Sequence, residues 1–230
     1  MGHAQAQGLA GRAVDAMIRR SVRKGFRGVY WIPPSEPLNQ PSILVPNHHG
    51  WHDGYVMYHA ITKLGLPTLD WIQEFDTFPL FASIGGMPFP ADDPTRRAQT
   101  IRRTIRLMKE EKRNLLLFAE QQLHRPPEIL RFGKALQTVV KHVPGVEVVP
   151  VAIRYELSMH ERPECFLMFG KPLKAEAATP DATRLAVKAL LDVLAVKVSF
   201  AREEFEELAK GTRDVNERMD MRQIPGFRPK

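Results

Sequence analysis

The runs "NLLLFA" (114–119), "VEVVPVAI" (146–153) and "ILVP" (43–46) are apolar at nearly every position. A strand of that kind has no face to show to water, so its sheet must be covered on both sides. Segments with helical spacing supply the cover. "GYVMYHAITKLG" reads as a helix closed by Gly65. Ala98, Ile101, Ile105 and Met108 mark an amphipathic helix between Thr95 and Arg113. "GKALQTVVKHV" reads as another helix, and Leu185, Val187, Leu190, Leu191, Leu194 and Val198 predict a long one over 181–210. "GVYWI", "PTLDWIQ" and "ECFLMFG" complete the strands, and "FPLFASIGGMPFPADDP" reads as a short helix followed by an irregular segment. Strands alternating with helices predict an α/β layered domain, with a mostly parallel central sheet flanked by helices.

A chain of 230 residues has room for one large domain. The expected layout is a basic amphipathic N-terminal helix over 1–27, a single α/β domain over 28–210 and a polar, loosely held tail over 211–230. The lone cysteine, Cys165, excludes an internal disulfide and a zinc site built on several thiolates. It sits in an apolar strand and points to a reducing compartment. The formal charge is +7. Arg12, Arg19, Arg20, Arg23, Lys24 and Arg27 face a single acid, Asp15, near the N-terminus. Such a segment suits an anionic partner. No nucleic-acid-binding motif accompanies it, so an anionic membrane surface is the expected partner and nucleic acid is not. No apolar run approaches the roughly 18 residues that span a bilayer. The expected location is cytoplasmic, peripheral at the inner face of the membrane.

In open parallel sheets, reactive residues gather beyond the C-terminal ends of strands. Two polar clusters occupy that place: "NHHGWHD" (47–53) after "ILVP", and "EQQLHR" (120–125) after "NLLLFA". His48 and Asp53 are close enough for the carboxylate to fold back onto the imidazole. A carboxylate on one ring nitrogen fixes the tautomer and stabilises the imidazolium, leaving the other nitrogen to take a proton from a hydroxyl. No serine or cysteine nucleophile lies beside them, which suits direct attack by a substrate hydroxyl. Taken alone, His48, His49, His52 and Asp53 also form a set that suits zinc or iron, so a metal-dependent hydrolase is the competing reading.

"NHHGWHD" matches the Asn-His-x-x-x-x-Asp motif of the glycerolipid acyltransferases. "LLLFAE" resembles the opening of their Phe-Pro-Glu-Gly-Thr-Arg motif, "FGKAL" their Phe-Lys-x-Gly element and "VVPVAI" their proline-containing strand. "SIGGMPF" lies where that family has a glycine-rich motif. The resemblance spans about Val29 to Leu173. It implies an α/β domain, transfer of an acyl group from acyl-CoA or an acyl-carrier protein as co-substrate, no other cofactor, no metal, and membrane association. It carries His48 over as general base and Asp53 as its partner, with a lipid alcohol as acceptor. Asn47, Glu120, Gln121, Gln122, Arg125 and Lys134 form the expected substrate-binding set.

The chain departs from the family pattern in two places. Ala119 replaces the motif proline, and Gln121, Gln122 and Leu123 stand for Gly, Thr and Arg. Asp92 falls at or near the position of a second phosphate-binding arginine. An aspartate repels a phosphate and a leucine gives it no partner. The expected acceptor is therefore one other than glycerol-3-phosphate, unless Arg125, Arg131, Arg96 or Arg97 replaces the missing charge.

Overall fold

The computed structural model describes residues 8–157 and 159–219. Strands β1 (Gly28–Ile32), β2 (Ser42–Pro46), β3 (Thr68–Ile72), β4 (Gly86–Pro88), β5 (Asn114–Leu116), β6 (Glu147–Glu156), β7 (Glu164–Phe169), β8 (Leu173–Lys174) and β9 (Glu206–Lys210) build one sheet. Its order is β4-β3-β5-β2-β6-β7-β1-β9, with β8 attached to β6. The pairs from β4 across to β6 are parallel, as is β1 with β7, while β6–β7, β1–β9 and β6–β8 are antiparallel. The expected architecture, a mostly parallel sheet flanked by helices, is the one observed.

Both faces are covered, as the apolar strands require. Helices α1 (Gly8–Gly25) and α2 (Asp53–Leu64) lie on one face, where Val22, Val56, Met57 and Ala60 pack on Leu44, Leu116 and Val151. Helices α3 (Pro94–Glu111) and α4 (Lys134–His142) lie on the other, where Met108, Leu136 and Val139 meet Ile43, Leu69 and Leu115. Helix α5 (Pro180–Phe200) packs Leu190, Leu194 and Val198 on Ala152 and Phe166. The fully buried Asn114 accepts from Ser42 N (2.9 Å) and Ser42 Oγ (3.1 Å), and donates to Pro67 O (3.3 Å). That one amide fixes the starts of β2 and β5 and the chain entering β3. The C-terminal ends of β2, β3 and β5 therefore reach one edge together.

Several expectations change. The helix expected over 181–210 ends at Phe200, and residues 206–210 pair with β1 instead. The apolar stripe that defines the helix stops at Val198, and an open strand edge offers backbone partners that helix periodicity does not register. The glycine-rich segment forms two short 3-10 turns (Phe75–Thr77 and Pro79–Ile84) and then β4. In α1 the apolar face is not free for lipid: Val14 and Ile18 are buried with Tyr58. Part of the expected tail is tied down. Thr212 N donates to Phe26 O (2.8 Å) and Arg27 pairs with Glu217 (2.7 Å). Residues 1–7 of the expected N-terminal helix and 220–230 of the tail lie outside the described residues.

Candidate active site

Strand β2 delivers Pro46 to the sheet edge, and the chain then folds tightly into α2. His48 stands at the head of that turn and Asp53 at the first position of the helix, with Asp53 N donating to Gly50 O (3.0 Å). The turn brings His48 Nδ1 to 3.0 Å from Asp53 Oδ2. Asp53 is fully buried, and its carboxylate is held from two further directions. Gly50 N donates to Oδ2 (2.9 Å), and the Tyr155 hydroxyl donates to Oδ1. A side chain at Gly50 would run into the Tyr155 ring, with its Cβ 2.3 Å from Cε2, so only glycine leaves room for that phenol. Burial raises the Tyr155 pKa, with Cys165 and Asp53 adding to the effect, so the hydroxyl keeps the proton it donates. An acceptor-only carboxylate takes the Nδ1 proton of His48 and leaves the Nε2 lone pair outward. Among the described residues Nε2 has no partner, and the His48 side chain is 24% exposed.

A second carboxylate holds His48 by its backbone. Glu120 Oε1 accepts from His48 N (2.8 Å), and Oε2 accepts from Leu130 N (2.7 Å) and lies 2.5 Å from His124 Nε2. His124 N returns a bond to His48 O (3.3 Å). Asn47 bridges to β6, donating to Ile153 O (3.0 Å) and accepting from Ile153 N (2.7 Å). Asn47 and Glu120, expected as substrate contacts, thus spend their polar atoms on protein groups and fix the loop that carries His48.

The expected metal set does not converge. His48 faces Asp53, while His52 packs edge-on to Phe26 (4.9 Å between ring centroids), near Ser21 Oγ (3.4 Å). His49 is occupied on both nitrogens, by Asn47 Nδ2 (3.1 Å) and Glu128 O (2.8 Å). Among the described residues, His49, Glu120 and His124 come close enough together to share an ion. Every one of them is committed elsewhere, so this cluster fits a hydrogen-bond network better than a metal.

Two cavities meet at His48. One, of about 490 Å³, lies on the α1–α2 side and is walled mainly by apolar groups, including Ile18, Trp51, Tyr55, Phe81 and Leu116. The other, of about 830 Å³, lies on the α3–α4 side and includes Arg97, Gln121, Gln122, Leu123 and Lys134. His48, Phe118, Trp71, Gln73 and Glu74 line both. The Phe118 ring packs 4.3 Å from the imidazole.

A family model for acyltransferases matches residues 27–154, more than half of the sequence. The chain belongs to the acyltransferase family. Its fold is similar to that of the 1-acyl-sn-glycerophosphate (LPA) acyltransferase PlsC from Thermotoga maritima, with a TM-score of 0.59, 16% sequence identity, 82% of this chain covered and 79% of that one. No curated protein matches the sequence. The glycerolipid-acyltransferase motifs thus belong to a protein of that family, and acyl transfer is its class of activity.

The acyltransferase departs from its motif pattern less severely in space than in sequence. Asp92 is exposed and is not part of either cavity wall, whereas Arg97 lines the larger one. Arg125 and Arg131 are exposed and line neither cavity, and Arg96 pairs with Asp76. Of the cations near these motifs, Arg97 and Lys134 line the larger cavity. Gln121 has a positive φ of 63°, and its amide fills the space over Gly133, where a Cβ would fall 1.3 Å from Nε2. Tyr155 was not legible in the sequence: it stands on β6, 102 residues from the Asp53 it bonds.

One residue of the apolar cavity is out of character. Asp70 is half-buried on β3 and lines it, and burial pushes its carboxyl up from 3.8 to about 7. The folded protein therefore retains a proton that the unfolded chain releases. That contribution to stability is complete below about pH 4 and is lost as pH rises through about 7. Asp70→Asn removes this dependence. Its melting temperature relative to wild type should be higher at pH 8 than at pH 5, as measured by calorimetry in matched buffers. An equal difference at both pH values would show that this carboxyl titrates normally.

Proposed function

We propose that the protein transfers a fatty acyl group from an acyl-CoA or acyl-carrier-protein thioester to a hydroxyl of a lipid acceptor, making it an O-acyltransferase. The observation that carries this reading is His48 Nε2, without a partner among the described residues, at the junction of an apolar cavity and a larger one that also carries Arg97, Gln121, Gln122 and Lys134. The acyl chain takes the smaller, apolar cavity and the acceptor head group the larger one with its amides and cations, which brings carbonyl carbon and hydroxyl together beside His48. Nε2 takes the hydroxyl proton as the oxygen attacks the thioester carbonyl. The imidazolium, stabilised by Asp53, then gives that proton to the departing sulfur as the C–S bond breaks, and a free thiol leaves. Tyr155 and Gly50 are positioning residues that hold Asp53. His48→Ala should lower thiol release from the thioester by about 10²–10⁴-fold with the fold intact. Tyr155→Phe should lower kcat by about tenfold with little change in KM, since it weakens the orientation of the base by one hydrogen bond. Activity of His48→Ala within about threefold of wild type would rule the mechanism out.

The acceptor head group lies among Gln121, Gln122, Arg97 and Lys134. Neutral amides suit hydroxyls, and the two cations accommodate a negative head group. The sequence argument against a phosphorylated acceptor loses half its basis, because Asp92 does not face the site. Competition between matched phosphorylated and dephosphorylated lysolipids decides the point. Wild type should prefer the phosphorylated member, and Lys134→Ala with Arg97→Ala should remove the preference by raising KM. A preference for the dephosphorylated member would restore the neutral acceptor.

Among the described residues no helix is long and apolar enough to cross a membrane. Arg12, Arg20, Arg23 and Lys24 are exposed on α1, and the cavity-lining Trp51 is 67% exposed. We propose that this flank rests on an anionic lipid surface, each cation contributing about 1 kcal/mol. Charge reversal tests it better than deletion, since α1 also fills the core. Arg20→Glu, Arg23→Glu and Lys24→Glu together should reduce sedimentation with anionic vesicles and leave the weak binding to neutral ones unchanged. Undiminished binding would assign the contact to another surface.

A further inference from the structure

We infer that the acyl chain accepted by this protein carries a hydroxyl in its first several carbons, and that Asp70 is the residue that selects it. This rests on the assignment of the apolar cavity to the acyl chain.

Asp70 pairs with Leu116 of β5 and with Gly86 of β4. Side chains alternate along a strand. Leu69 and Trp71 enter the core beneath α3 and α4, so Asp70 projects to the opposite side, where the apolar cavity lies. Its level in the sheet is that of Leu116, two residues before the Phe118 that packs on His48. Two residues along a strand and one strand across place the Asp70 and Phe118 Cα atoms roughly 8 Å apart. The carboxyl therefore meets the chain a few carbons beyond a carbonyl seated at His48.

The wall around that carboxyl is mainly apolar. Ile18, Ile61, Ile72, Ile84 and Leu116 share the wall with it. Of the other polar groups on the wall, Thr68 Oγ1 donates to Leu66 O (3.1 Å) and the Tyr58 hydroxyl donates to Asp15 (2.9 Å), while His48, Tyr55, Gln73, Glu74 and Thr77 also line the cavity. Among the described residues the Asp70 side chain has no hydrogen bond and no ion pair. A purely structural role is thus poorly served by aspartate, since an apolar residue would suit this strand and this wall better. A plain methylene chain laid across Asp70 expels the last water and leaves the carboxyl unpaired. A hydroxyl on the chain restores a partner, and it can donate to the carboxylate or to the carbonyl oxygen of the protonated acid. The raised pKa of Asp70 agrees with such an enclosed position.

The test uses the full chain and 14-carbon acyl-CoA thioesters that are unsubstituted, 2-hydroxy, 3-hydroxy or ω-hydroxy, with thiol release measured on a fixed panel of lysolipid and alcohol acceptors. Wild type should use a 2- or 3-hydroxy chain with a kcat/KM about tenfold above that of the plain chain, the scale of one buried hydrogen bond. Asp70→Leu should reverse that order, while Asp70→Asn, still polar, keeps part of it. Asp70→Val serves the same purpose as the leucine variant if the latter does not fold. Thiol release with a plain chain used as well as any 2- or 3-hydroxy chain, or a ratio unmoved by Asp70→Leu or Asp70→Val, overturns this inference and leaves acyl transfer standing. No thiol release from any thioester by folded wild type overturns both.

Discussion

The buried carboxylate of Asp53 is the interaction on which the rest of the site depends. A charge with no solvent exposure survives only if its lone pairs are satisfied by groups that cannot move away. Here an imidazole, a backbone N–H and a phenol converge on it from β2, the turn and β6. Each fixes something else in turn. The imidazole is held in one tautomer, the turn is held in the shape that only glycine at position 50 permits, and β6 is pinned to the start of α2. His48 Nε2 is thereby aimed outward, with no hydrogen-bond partner among the described residues.

The second carboxylate, Glu120, does for the backbone what Asp53 does for the ring. It joins the chain leaving β2 to the chain leaving β5 and anchors the loop that follows it at Leu130. Asn47 adds a link to β6. Three adjacent strands thus meet in one hydrogen-bonded knot, in which the side chains of Asn47 and Glu120 are spent on protein groups. Arg97, Gln121, Gln122 and Lys134, which line the larger cavity, lie outside the knot.

That division explains why several expected contacts moved. Motif position put Asp92 where the family has a phosphate-binding arginine and left Arg125 as one substitute for the missing charge, but both are exposed and line neither cavity. Arg97 reaches the cavity because Asp93 caps α3 and its first turn presents Arg97 to the carbonyls of Pro90 and Ala91. Lys134 reaches it because α4 begins there. In the same way β9 won residues 206–210 from a helical reading, because an unpaired strand edge stabilises any segment able to lie along it.

The sequence by itself determined the layered α/β fold, through strands with no hydrophilic face, and the pairing of His48 with Asp53, through a histidine and an aspartate on either side of one tight turn. Both are local matters: periodicity and spacing of a few residues suffice to express them. Tertiary structure alone decided the roles of Tyr155, Glu120, Arg97 and Asp70. Tyr155 meets Asp53 across 102 residues and Glu120 meets His48 across 72, while Arg97 and Asp70 line cavities whose walls come from several elements, and whether a polar atom is bonded, exposed or enclosed depends on what packing brings beside it.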